Sequence, residues 1–186
     1  MYPFDWKPIM KSVFFSALHK SSGKTMLALG LSRALTSRKL KVQLFKKGPD
    51  YIDPMWLSLA SRRPCCNLDF HTMSHKIISS TFRDAAKNAD FAIIEGNKGL
   101  FDGIDLYGSD SNAALVKVLK TPVVIIVDTR GMTRGVAPVL LGYQAFDKDI
   151  KIAGVILNQV GGSRHESKLR ASIEYYTDIP VLGAIG

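Results

Sequence analysis

The stretch FFSALHKSSGKTMLALGLSRAL, Phe14 to Leu35, decides how the chain folds. It closes an apolar run, passes through small polar residues, reaches Gly23-Lys24-Thr25, and continues with apolar residues at helical spacing. A strand, a loop ending in Gly-Lys-Thr and a helix form the context of a phosphate-binding loop. Backbone N–H groups at the start of such a helix point at anions, and the helix dipole adds to the attraction. In that reading Ser21, Ser22, Gly23, Lys24, Thr25 and Met26 cradle the phosphates. Lys24 neutralises their charge, and Thr25 offers its hydroxyl to Mg²⁺. The standard spacing puts a glycine five residues before Gly23. That position is Leu18, and neither Ser16 nor Ala17 supplies the glycine. The bland reading is a serine-rich turn in which Ser21 or Ser22 caps a helix. Alone, the stretch leaves both readings open.

Outward from it, short and almost continuous apolar runs read as strands: Ser12–Leu18, Lys41–Phe45, Phe91–Glu95, Val123–Asp128, Ile152–Asn158 and Val181–Ile185. Runs of this kind are buried on both faces, as in parallel sheets. Helical patterns lie between them at Met26–Ser37, Ile77–Asn88, Asn112–Leu119, Val136–Ala145 and Arg164–Tyr176. The alternation predicts an α/β fold, a mostly parallel sheet joined by right-handed crossovers and flanked by helices. Residues 12–186 make one domain behind an N-terminal extension, residues 1–11. The segment Lys47 to His75 shows little periodicity and reads as a long loop, which in a compact α/β domain is usually functional. It leaves the C-terminal end of a strand, where such sheets bind ligands. The closing DIPVLGAIG reads as a last strand, as expected of a domain within a longer polypeptide.

The chain has 186 residues, 46% hydrophobic and 22% charged, with a formal net charge of +9. No apolar run is long enough to cross a bilayer, and MYPFDWKPIMK has no secretory h-region. The only cysteines, Cys65 and Cys66, are neighbours, which excludes a disulfide framework or a zinc site. A reducing, cytoplasmic setting is expected. The basic excess invites a polyanion. The densest basic group, SRKLKVQLFKK from Ser37 to Lys47, reads as a solvated face, and no nucleic-acid-binding motif accompanies it.

Carboxylates at strand ends supply candidate metal ligands. Mg²⁺ prefers oxygen ligands and keeps several waters, so it needs few of them. Glu95 ends FAIIEG, and Asp50 follows the second strand in KKGPDYIDP. Asp128, ending VVIIVD, reads as a strand-end acid.

At this point the residues resemble a known family. GPDYIDPMWLSLASRRPCCNLD (Gly48–Asp69), IEGNKGLFDG (Ile94–Gly103), VDTRGMTRGVAPVLLGYQAF and GVILNQVGGSRHESKLRASIE resemble, in order and at similar spacing, the signatures of the cobyrinic acid a,c-diamide synthases. The resemblance implies the dethiobiotin-synthetase-like branch of phosphate-loop folds, in which the opening glycine stands one residue earlier, at Ala17 here. Ser21 likewise stands where the branch has glycine. The chemistry it implies is ATP-dependent amidation of tetrapyrrole carboxylates, the a and c acetates of cobyrinate, through an acyl phosphate. Sirohaem and nickel-sirohydrochlorin are alternative substrates.

The resemblance also implies roles. Lys24, Asp50, Asp53 and Asp102 are the candidate catalytic residues, and Thr25, Asp50 and Glu95 the candidate Mg²⁺ ligands. Asn158 would read the adenine edge. Asp53 and Asp102 would face the substrate. Tyr51 reads equally as an aromatic that stacks on the macrocycle and as a partly buried loop residue. Lys98, like Asn97, departs from the family by standing where an apolar residue is expected, and as an added cation it would pair with one of the substrate's acids. For Asp53, ahead of Pro54, a plain turn residue stays open beside that role. The implied partners are the tetrapyrrole polycarboxylate and a glutaminase domain of the same polypeptide. The chain itself supplies no glutaminase nucleophile, so alone it would use free ammonia. A homodimer is admitted; nucleic acid and membrane are not. Dethiobiotin synthetase lacks GPDYIDP, and a partitioning-type ATPase would carry lysine where this chain has His19.

Overall fold

The computed structural model describes residues 11–186, so the expected N-terminal extension lies outside the described residues except for Lys11. The elements are β1 (Ser12–Ala17), α1 (Lys24–Ser37), β2 (Val42–Lys47), α2 (Ile52–Ser61), β3 (Cys66–Leu68), α3 (His75–Ala86), β4 (Phe91–Glu95), α4 (Asn112–Leu119), β5 (Val123–Asp128), α5 (Val136–Phe146), β6 (Ile152–Asn158), α6 (Ser163–Tyr176) and β7 (Val181–Ala184). The strands form one sheet in the order β3-β2-β4-β1-β5-β6-β7. Every pairing between them is parallel. This is the expected fold class.

Two apolar layers hold the helices to the sheet. Ala28 of α1 and Leu57 of α2 join Phe15, Leu44, Ile93 and Ile126 on one face. Ile78 and Phe82 of α3, Leu115 of α4, Leu140 of α5 and Ile173 of α6 join Phe14, Phe45, Ile94 and Val127 on the other. Neighbouring strands β1 and β4 therefore send their loops to opposite faces. That reversal opens a crevice at the C-terminal edge of the sheet, where ligands bind in such folds.

The structure corrects the reading of Lys47–His75 as one long loop, because this segment contains α2 and β3. The Asp50 carboxylate starts α2 by accepting from the Ile52 and Asp53 N–H groups, at 3.0 and 3.1 Å, and Pro54 falls in the first turn, where it costs no hydrogen bond. The helix is missed because it buries only a narrow stripe, Leu57 and Ser61. It leaves Ile52, Met55, Trp56 and Leu59 exposed, so no amphipathic period appears. The basic face is also corrected. β2 runs on through Lys46 and Lys47, which are 3% and 4% exposed. Their backbones are held by ladder partners on either side, Lys46 against Glu95 and Lys47 against Leu68.

Candidate functional site

The loop between β1 and α1 is shaped by its backbone. Ala17 is a fully buried strand residue and is not among the residues with positive φ, so its methyl group packs without strain where a glycine was expected. The strain falls at Ser21, with φ +62°, and at Gly23, with φ +92°. Gly23 is required twice over, by that φ and by space: a Cβ there would lie 2.3 Å from Asn158 Nδ2.

The helix-capping reading of the serines fails. No side chain caps α1, and the Ser22 hydroxyl turns back to donate to the His19 carbonyl at 2.9 Å. By contrast, Ser74 and Ser111 cap α3 and α4. The first N–H groups of α1 are thus left for an anion. Lys24, 5% exposed, sits at that end, and among the described residues its ammonium donates to the His19 carbonyl alone, at 3.3 Å. Burial pushes its pKa below the ordinary lysine value; Glu95 and Asp102 oppose that shift and Lys46 adds to it.

Below this helix end lies a cavity of about 370 Å³ lined by Ser21, Gly23, Lys24, Thr25, Met26, Lys46, Asp50, Asp53, Glu95 and Asn97. Its floor is a polar knot centred on Lys46, which sequence reasoning missed. The Lys46 ammonium donates to Asp53 Oδ2 at 2.6 Å and to Glu95 Oε1 at 2.8 Å, with Asp50 Oδ2 at 3.8 Å. The Thr25 hydroxyl also donates to Asp53 Oδ2, at 3.3 Å, and to Glu95 Oε1. Burial pulls Lys46 down, but Glu95 and Asp53 outweigh it and hold the ammonium above its ordinary value. Burial pushes the Glu95 carboxyl up, against Lys46 and Thr25. The signal in the sequence was two lysines ending an apolar strand, a costly placement without a charge partner.

Among the candidate residues, Ser21, Gly23, Lys24, Thr25, Met26, Asp50, Asp53 and Glu95 come together around this cavity. The turn reading of Asp53 fails, because it lies in the first turn of α2 and points at Lys46. Asp50 divides its work between capping α2 and facing Lys46. The side chain of Ser22 stays behind the loop. Asn158 donates an amide hydrogen to the Ser22 carbonyl at 3.0 Å and so braces the loop. Asp102 lies in an exposed turn and accepts from the Gly99 N–H at 3.1 Å. Tyr51 is 78% exposed beside the cavity rather than in it, and Lys98 is exposed at the end of β4.

Another residue the sequence did not single out, Asn112, is fully buried and ties the β4 loop to β1. It donates to the Lys98 and Gly99 carbonyls at 3.0 Å and to Ser16 Oγ at 3.2 Å. Asp128 is the strand-end acid expected, bonded to the backbone and guanidinium of Arg130. Burial, first, and then neighbouring acids push the Cys65 thiol up to about 12.

A parallel sheet with a glycine-dependent loop, an uncapped helix start and a buried lysine beside it defines a phosphate-loop nucleotide-binding domain. The chain belongs to the CobQ/CobB/MinD/ParA nucleotide binding domain family, whose model matches residues 17–186. Over 173 residues it is 53% identical to the cobyrinate a,c-diamide synthase of Magnetococcus marinus, covering 93% of this chain and 37% of the relative. Over 177 residues it is 45% identical to that of Methanosarcina acetivorans, covering 93% and 36%. The chain thus spans little more than a third of the length of these relatives. The resemblance read from the four motifs is borne out. Chloroplast FtsY from Physcomitrella patens shares the fold, with a TM-score of 0.62 at 17% identity over 94% of this chain and 58% of that one. So does the hydrogenase maturation factor HypB of Archaeoglobus fulgidus, with a TM-score of 0.60 at 12% identity over 95% and 81%. No helix among the described residues is long and apolar enough to cross a membrane.

Proposed function

We propose that this chain uses ATP to activate peripheral carboxylates of a tetrapyrrole, the a and c acetates of cobyrinate, for amidation. One observation carries the reading: an open, lysine-flanked helix start faces a cluster of three carboxylates and an ammonium across one cavity. The substrate is taken from the relatives, which are named cobyrinate a,c-diamide synthases.

In this account the substrate carboxylate oxygen bonds to the γ-phosphorus and ADP leaves. Ammonia then attacks the acyl carbon, phosphate departs with that oxygen, and the nitrogen loses a proton to give the amide. Phosphoryl transfer is chiefly positioning and charge neutralisation. Lys24 and the α1 N–H groups take the phosphate charge. Lys46 keeps Asp53 and Glu95 fixed, while Asp53 and Asp102 orient the substrate side and Tyr51 flanks it. Asn158 has a second amide hydrogen and its carbonyl for the adenine edge.

The donor set fits Mg²⁺. Thr25, Asp50 and Glu95 offer only oxygen, and Glu95 Oε2 is buried without a hydrogen-bond partner among the described residues. No three acidic, histidine or cysteine side chains among the described residues form a metal cage on their own, which suits an ion that completes its shell with waters and substrate phosphates. Bound there, Mg²⁺ would draw charge from the β- and γ-phosphates. Ammonia would come from a glutaminase domain of the same polypeptide, and in its absence from solution.

The test is ADP release by the chain with ATP, Mg²⁺ and ammonium. Stimulation by cobyrinate supports the proposal. Release that ignores cobyrinate, sirohaem and nickel-sirohydrochlorin, or that responds to DNA instead, overturns it.

A further inference from the structure

Three lysines are nearly sealed from solvent at the ligand-binding edge of the sheet: Lys24, Lys46 and Lys47, at 5%, 3% and 4% exposure. Lys24 faces the phosphate loop, and Lys46 has three carboxylates within 4.0 Å. Lys47 has none among the described residues; its contact is the Asn97 side-chain oxygen, at 3.5 Å. The acids whose charge it feels are Asp110 and Asp69, and neither comes within ion-pair distance of it. Asp110 accepts from the Ile104 N–H at 2.7 Å, and Asp69 from the His71 N–H and the Thr72 hydroxyl. The remaining charged neighbour is Lys98, a like charge. Its backbone is held in place by Asn112.

A buried ammonium with no carboxylate in contact is costly, and the like charge of Lys98 adds to that cost. Chains keep such a pair where an anion arrives. The side chains of Lys46 and Lys47 leave β2 on opposite faces, as neighbours in a strand must. The Lys47 site is therefore separate from the phosphate cavity, and Asn97, which lines that cavity, joins the two.

We propose that Lys47, Asn97 and Lys98 form a second anion subsite, which grips a carboxylate of the substrate other than the one being activated. The proposal rests on the amidation reading above and deepens it: a ligand must carry at least two carboxylates, one for each face of the sheet edge. A monocarboxylate would fill the cavity and leave Lys47 unpaired.

The test is equilibrium binding of cobyrinate to the chain held with a non-hydrolysable ATP analogue. Lys47→Met and Lys98→Ala should each weaken cobyrinate binding about tenfold, the size of a lost charged hydrogen bond. Lys98→Arg should restore it, and the analogue's own affinity should stay within about twofold throughout. Cobyrinate binding unchanged in both variants overturns the subsite and leaves the amidation reading standing. Should Lys47→Met fail to melt cooperatively, Lys98→Ala decides, since Lys98 is exposed. A wild-type chain that binds the analogue but not cobyrinate overturns the amidation reading, and the subsite with it.

Discussion

The Lys46 ammonium lies 2.8 Å from Glu95 Oε1, and both side chains are almost wholly buried, at 4% and 1% exposure. The pair closes the floor of the cavity, and Asp53, Asp50 and Thr25 close around it. Removing the cation strands these acids. Lys46→Met should destabilise the fold by about 3–5 kcal/mol, the usual cost of breaking a buried pair from one side. Urea unfolding would measure it, and a loss under about 1 kcal/mol would show that the knot is not held by charge.

Lys24 makes no ion pair among the described residues, and its charge is placed to serve a ligand rather than the fold. Lys24→Ala should leave the melting temperature near wild type while weakening ATP-analogue binding by about tenfold or more. The pH dependence has a definite sign. Burial lowers the Lys24 pKa from 10.5, so the binding-competent ammonium is lost as pH rises, and sooner than for an ordinary lysine. Wild-type affinity should fall on the alkaline side below pH 10.5, and the Lys24→Ala profile should be flatter there.

The two departures in the phosphate loop should behave in opposite ways. Ser21 holds φ +62°, a backbone region that favours glycine, so Ser21→Gly should be neutral or stabilise by up to about 1 kcal/mol. Ala17 is buried in a strand, so Ala17→Gly, although it restores the branch's usual residue, should cost about 1 kcal/mol. Thermal melts of both variants decide, and the reverse order would contradict the loop geometry.

The parallel sheet and most helices were legible because buried parallel strands and amphipathic helices write their periods into the sequence. The α2 helix was not, because its stripe is one or two residues wide and its start is fixed by Asp50 rather than by a serine or threonine cap. The site was half legible. Gly23, Lys24, Thr25, Asp53 and Glu95 stood in motifs, and all five line one cavity. Lys46 and Lys47 were hidden because a lysine looks the same in sequence whether it is solvated or sealed, and only the ladder positions of β2 show which. Asn112 and the bracing role of Asn158 depend on contacts between residues far apart in the chain, 96 positions in one case and 136 in the other, and no local pattern carries those.

Cys65 precedes β3 and Cys66 opens it. With the Cys65 pKa near 12 against an ordinary 9.0, its thiolate at neutral pH is about a thousandfold scarcer than that of a free thiol. Iodoacetamide at pH 7.5 should label it slowly, and urea should release the block. Rapid labelling of the native protein would contradict that environment.

Amidation of a tetrapyrrole carboxylate at the expense of ATP, as proposed for this chain, is read from the mass of cobyrinate after incubation with the chain, ATP, Mg²⁺ and ammonium. Cobyrinate should lose about 1 Da per amidated side chain, oxygen and hydrogen giving way to NH₂, and should lose none with Lys24→Ala. An unchanged mass, with ATP demonstrably bound, would contradict it.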